Sequence, residues 1–196
     1  MADPKSWNPW HGCRRYSEGC KFCYIFVLDK VHHVPESSTE IVRTKMFDKP
    51  LEMTRKGLYK IPPGYTLRVN MASDTFLEEA DKWRTEMWQI IRRRSDVIFY
   101  LLTKRVPRIM ECLPEDWGEG YENVDLNMTC ETQRAFDERW PIFRDIPACH
   151  KGINLAPMLT EIDITPALAS GQIENGTLAA RVSEATAPAT TNGYAV

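Results

Sequence analysis

The run Val97-Ile98-Phe99-Tyr100-Leu101-Leu102-Thr103 decides the fold class. Its residues are apolar, aromatic or β-branched, it has no polar face, and it is too short for an ordinary helix. It therefore reads as a strand buried on both faces. Upstream, Phe76, Ala80, Trp83, Met87, Ile90 and Ile91 recur at helical spacing, which predicts an amphipathic helix over 76–94 capped by Asp74 or Thr75. Tyr65 to Met71 reads as a strand before it. Downstream come a short helix at 106–112, a strand at 123–129, a helix at 132–144 with Phe136, Trp140 and Phe143 along one side, a strand at 152–156 and a brief helix at 166–169. Strands alternating with helices over short links predict an α/β fold with a parallel sheet, either a barrel or a doubly wound sheet.

Both architectures collect their working groups at the C-terminal ends of the strands. Those ends carry Ser73 and Asp74, then Thr103, Lys104 and Arg105, then Thr129 and Glu131, then Asn154 and Pro157. Any one of them can equally be a helix cap or a solvated loop residue. The repetition from strand to strand is the argument. Lys104 and Arg105 suit an anionic group such as a carboxylate or phosphate.

A chain of 196 residues suits one sizeable domain, and 43% hydrophobic with 27% charged residues is a globular balance. A net charge of −2 gives no overall pull toward nucleic acid or an anionic membrane. Arg92-Arg93-Arg94, at the end of a predicted helix, reads as solvated cations favoured by the helix dipole. The N-terminus has no basic and apolar leader pattern, and no run approaches a membrane span. The expectation is a cytoplasmic chain with reduced thiols and no membrane partner.

Against that background the N-terminal run Trp7-Asn8-Pro9-Trp10-His11-Gly12-Cys13-Arg14-Arg15-Tyr16-Ser17-Glu18-Gly19-Cys20-Lys21-Phe22-Cys23-Tyr24 stands out. Closely spaced cysteines in a reducing compartment point to metal binding or redox chemistry rather than to a disulfide. Cys13, Cys20 and Cys23 can hold a four-iron cluster by three corners, leaving one iron open. They can also bind zinc, with a fourth ligand from His11, His32 or His33, or be plain thiols. A helix is predicted from Tyr24 to Val31. Cys112, Cys130 and Cys149 read as small buried hydrophobes, and no motif in the sequence assigns His150 a role.

With these residues in view, the chain resembles the radical SAM enzymes. More closely, Trp7-Asn8-Pro9 through Gly12-Cys13, then Ser17-x-Gly19-Cys20-x-x-Cys23-Tyr24, resembles an uncharacterised radical-SAM-like family of bacteriophage and bacterial genomes. Ser73-Asp74 followed by Phe76, Leu102-Thr103-Lys104-Arg105, and Pro157 through Glu161-Ile162-Asp163 extend the likeness over about residues 7–174. The first gap between cysteines is six residues where radical SAM enzymes usually have three, and Ser73-Asp74 stands where a Gly-Gly-Glu segment is usual. The resemblance implies a partial (β/α)6 TIM-like barrel, with Cys13, Cys20 and Cys23 on a [4Fe–4S] cluster. S-adenosylmethionine would sit on the open iron, and its reductive cleavage would give a 5′-deoxyadenosyl radical. It makes Tyr24, Ser73, Asp74, Thr103, Lys104 and Glu131 candidates for contacts to cofactor or substrate. It also implies an electron donor such as flavodoxin or ferredoxin, and a phage setting suggests nucleic acid as substrate.

From about residue 175 the chain turns rich in Ala and Thr and reads as disordered. The expectation is a domain over 1–174 and a tail over 175–196, with the barrel cut short by a frameshift and its edge strand open to a partner chain. Two rival readings are a truncated, inactive remnant and a zinc-stabilised nucleic-acid-binding module. The second would use Trp7, Trp10, Arg14, Arg15, Tyr16 and Lys21 to stack bases and meet phosphates.

Overall fold

A computed structural model describes residues 6–32 and 40–173. The tail expected at 175–196, and His33, lie outside the described residues. Seven strands are described: β1 (Ser6–Trp7), β2 (Trp10–His11), β3 (Val42–Arg43), β4 (Thr66–Val69), β5 (Ile98–Thr103), β6 (Val124–Thr129) and β7 (His150–Asn154). The helices are α1 (Tyr24–Val31), α2 (Asp81–Arg93), α3 (Ile109–Cys112), α4 (Gln133–Arg144) and α5 (Thr165–Ala169).

The expected parallel sheet is present. It has five strands in the order β1-β4-β5-β6-β7, every neighbouring pair parallel. Strand order follows chain order without a reversal, so the sheet is not doubly wound. Crossovers of one hand then bring α2, α3 and α4 to one face. A row on that face, Trp7, Val69, Leu101 and Leu126, is fully or almost fully buried. Phe99 meets Trp7 edge-on at 5.4 Å, and Met87 and Ile91 of α2 complete the core. The opposite face carries Ser6, Arg68, Tyr100, Asp125 and His150 in register, none of them buried.

Several expectations need correction. The run at 97–103 is not buried on both faces: burial alternates along β5, and Ile98 is 41% exposed. The helix expected over 76–94 begins only at Asp81, after a short 3-10 turn at Glu78–Ala80. Asp74 binds the Phe76 amide at 2.9 Å but turns the chain there rather than capping the helix. Thr132 is a true cap, its side chain accepting from the Ala135 amide at 3.2 Å. Cys112 and Cys130 are buried as expected, whereas Cys149 is half-buried. Cys149 packs against Gly120, where φ is +115° and a Cβ would come within 2.6 Å of the Cys149 nitrogen.

Arg94 departs furthest from its reading as a solvated cation. It is completely buried, stacks on the Tyr59 ring at 4.0 Å, and donates to the carbonyls of Pro50 and Ile61 and to Asp96. It thereby ties the end of α2 to the segment before β4, at the N-terminal edge of the sheet.

Candidate functional site

The chain leaves β1 at Trp7, passes through the two residues of β2, and runs as a loop with a 3-10 turn at Glu18–Phe22 to Cys23. Trp7 and Trp10 anchor its start in the core, each fully buried, with indole N–H groups donating to the carbonyls of Phe47 (3.0 Å) and Asp74 (3.2 Å). They are therefore unavailable as stacking platforms for bases, contrary to the rival expectation. The loop is next fastened to the segment after β4. The Asn8 side chain accepts from the Ala72 amide (3.1 Å), the Gly12 amide donates to the Ala72 carbonyl (3.2 Å), and the Ser73 hydroxyl donates to the Gly12 carbonyl. The Tyr24 hydroxyl donates to the Met71 carbonyl at 2.6 Å.

After β5, Arg105 reaches the loop and donates to the Arg14 carbonyl at 3.0 Å. After β6 and β7, Glu131 and Pro157 press on Gly19 so closely that a Cβ there would lie 3.0 Å from Glu131 Cγ and 3.2 Å from Pro157 Cδ. The cysteine loop thus lies across the C-terminal ends of β4, β5, β6 and β7, where α/β folds build their sites.

All three loop thiols are free, Cys20 buried and Cys13 and Cys23 half-buried. Cys20 Sγ accepts from the Tyr16 amide at 3.4 Å, and Cys13 Sγ lies 3.5 Å from the Arg14 carbonyl oxygen. Burial first, then the Asp74 carboxylate, push the Cys13 thiol up to about 12, with Arg105 opposing. Burial also raises Cys23, and a negative charge on Cys20 would raise both. The three sulfurs share one electrostatic neighbourhood, and ligation there displaces protons.

Among the described residues no three His, Cys, Asp or Glu side chains converge on a single ion. A tetrahedral zinc with bonds of about 2.3 Å draws its sulfurs to within about 4 Å of one another. A four-iron cube gives each thiolate its own iron and spreads the sulfurs farther; three free thiols on one loop are donors of the type both groups take. Of the histidines offered as a fourth ligand, His11 instead pairs with Asp29 at 3.1 Å, and His32 is exposed at the end of α1.

The strand-end candidates gather around the loop as its frame. Asp74 is buried and accepts from the Thr103 hydroxyl (2.8 and 3.0 Å) and the Lys104 amide (3.2 Å), as well as from Phe76. Burial raises its pKa against the pull of these donors. Glu131 is completely buried between two cations, with Arg139 Nη1 at 2.9 Å and Lys104 Nζ at 3.0 Å. Burial works against its ionisation, but hydrogen bonds from Arg139 and Ser17 and the charge of Lys104 bring it down to about 2. Lys104 also reaches the Ala156 carbonyl at 3.4 Å.

Sequence reasoning missed Arg139 and the close packing at Gly19. Arg139 was detectable, because it falls on the apolar stripe of α4 beside Phe136, Trp140 and Phe143, where a charge must find a buried partner. A separate cleft of about 700 Å³, lined by Asp81, Arg84, Trp88, Arg108 and Cys112 among others, contains none of the sequence candidates. Ion pairs such as Arg108 with Asp81 (3.0 Å) and Arg92 with Asp116 (2.6 Å) join residues of its lining.

Compared with known families, the chain matches one described as "Protein of unknown function (DUF5131)" over residues 3–182. The chain belongs to this family. The DUF5131 match includes the cysteine loop, its frame and every strand of the sheet. No curated protein and no solved structure matches the chain. No helix among the described residues is long and apolar enough to cross a membrane.

Proposed function

We propose that this DUF5131 protein is an iron–sulfur protein of radical SAM type. The carrying observation is the placement of three free cysteines on one loop across the C-terminal ends of four parallel strands. In this reading the five described sheet strands belong to a partial barrel, and the face with Arg68, Tyr100, Asp125 and His150 lines the substrate side. Cys13, Cys20 and Cys23 would hold the [4Fe–4S] cluster, and the chemistry it would supply there is one-electron reductive cleavage of S-adenosylmethionine to methionine and a 5′-deoxyadenosyl radical able to take hydrogen from a substrate.

The chain's own residues hold that chemistry in place. Asp74 locks Thr103 and the Lys104 amide, and so fixes the ends of β4 and β5 against each other. Glu131, Arg139 and Lys104 hold the ends of β6 and β7 under Gly19. Lys104 and Ser73, both at the rim, are the groups best placed to meet a polar cofactor or substrate. The electron comes from a flavodoxin- or ferredoxin-type donor, and nucleic acid is the proposed substrate class.

Anaerobic reconstitution tests this reading. The wild type is expected to take up iron and acid-labile sulfide and to form 5′-deoxyadenosine from S-adenosylmethionine after reduction, whereas Cys20→Ala loses both. Zinc without sulfide in oxygen-free preparations overturns the proposal. A stable cluster with no 5′-deoxyadenosine overturns the enzymatic part and leaves the inactive remnant.

A further inference from the structure

Arg105 is 5% exposed and lies beneath the cysteine loop. Two of its three nitrogens are accounted for: Nη1 pairs with Glu78 at 3.2 Å, and Nη2 donates to the Arg14 carbonyl at 3.0 Å. The Tyr16 ring covers the guanidinium, 5.0 Å from centroid to carbon. Nε is buried and has no partner among the described residues. A buried donor left without an acceptor costs about 1–3 kcal/mol, so an unfilled N–H at a site marks a missing acceptor.

Two features say where that acceptor belongs. The guanidinium is a rigid planar fork, and its Nε–H and Nη2–H lie along one edge. Nη2 also carries a hydrogen on its other edge, so what its bond to the Arg14 carbonyl fixes is that the guanidinium, with its unpartnered Nε, abuts the loop. On that same carbonyl oxygen sits Cys13 Sγ, at 3.5 Å. Sulfur and guanidinium thus converge on one atom, with the positive charge of Arg105 acting on Cys13.

We infer that Arg105 donates from Nε to the Cys13 sulfur in the cluster-loaded protein and so sets the cluster's reduction potential. This rests on the iron–sulfur reading above. Reduction adds a negative charge, and a buried cation with an N–H on a ligand sulfur stabilises the reduced form more than the oxidised form. Arg105 therefore raises the potential. Asp74, whose carboxylate acts on the same thiol, opposes it. Glu78, which shares the guanidinium from its exposed side, damps it.

The test compares the full-length wild type with Arg105→Lys, Arg105→Gln and Glu78→Gln. Each is reconstituted anaerobically, analysed for iron and sulfide, and titrated against redox dyes. Arg105→Gln should lower the reduced-to-oxidised ratio at fixed potential about tenfold, about 59 mV for one electron. Arg105→Lys keeps the charge without the fork and should fall between Arg105→Gln and the wild type. Glu78→Gln should shift the potential upward, which keeps the idea testable where an Arg105 variant folds poorly. If the Arg105 variants carry less iron but the loaded fraction and Glu78→Gln keep the wild-type potential, Arg105 only holds the loop and the inference fails. If the wild type takes up no iron, the iron–sulfur reading fails before it.

Discussion

The two edges of this sheet each bury a charge, and they use it differently. At the N-terminal edge Arg94 is met mainly by backbone, the carbonyls of Pro50 and Ile61, with Asp96 alongside. At the C-terminal edge Glu131 is met by the side chains of Arg139 and Lys104 and packs on a loop carrying three thiols. Carbonyls cannot change protonation, so apart from Asp96 the first arrangement is a fixed fastener. The second is built of titratable side chains packed against the cysteine loop. In parallel α/β folds the N-terminal edge serves stability and the C-terminal edge chemistry, and the two buried charges follow that division.

The sharpest way to break the comparison is Arg94→Ala. It leaves two buried carbonyls unmet and is expected to cost about 3–5 kcal/mol of global stability, read as a lower urea midpoint. Glu131→Gln strands the buried Arg139 charge and should cost about 3 kcal/mol. Its damage should also appear locally, as faster amide exchange over 13–23 and less iron per chain. Equal exchange changes at both edges for the two variants would remove the distinction.

Glu131 also gives the C-terminal edge a pH signature. Its carboxyl falls from the ordinary 4.5 to about 2 on folding, so the stabilisation is fully present above 4.5 and is lost as pH drops toward 2. Acid titration of stability should flatten in Glu131→Gln across that window, whereas Arg94→Ala should lose only the acid-sensitive contribution of Asp96, whose carboxyl Arg94 holds below 3.8. Gly19→Ala pushes a methyl against Glu131 and Pro157 and is expected to cost about 1–3 kcal/mol, with reduced cluster uptake. The smallest effect is expected for Arg134→Ala, which removes an exposed pair with Glu18 at 2.9 Å and should change the urea midpoint by no more than about 1 kcal/mol.

How much of this was legible in the sequence depended on whether a residue sat in a pattern long enough to read. The runs of β5 and β6 and the stripe of α4 announced themselves, and the parallel sheet followed from their alternation. β1 did not, because two residues carry no period, and its partner β4 lies 59 residues further on. The three cysteines were plain from spacing, whereas their frame was not. Asp74, Thr103 and Glu131 could be named as strand-end groups, but nothing local says that they bind one another. Arg94 was misread because a run of three arginines looks solvated. Yet it continues the stripe of Met87, Ile90 and Ile91, and that periodicity was the better guide.

The seat of Gly19 on Glu131 and Pro157 has a consequence for how the protein is born. The thiols leave the ribosome early, and the last part of their seat follows on the order of 130 residues later, which at roughly 5–20 residues per second is on the order of 10 s. For that interval the nascent sulfurs stand without shelter. Any metal that these thiols take can be seated only once translation has passed β7.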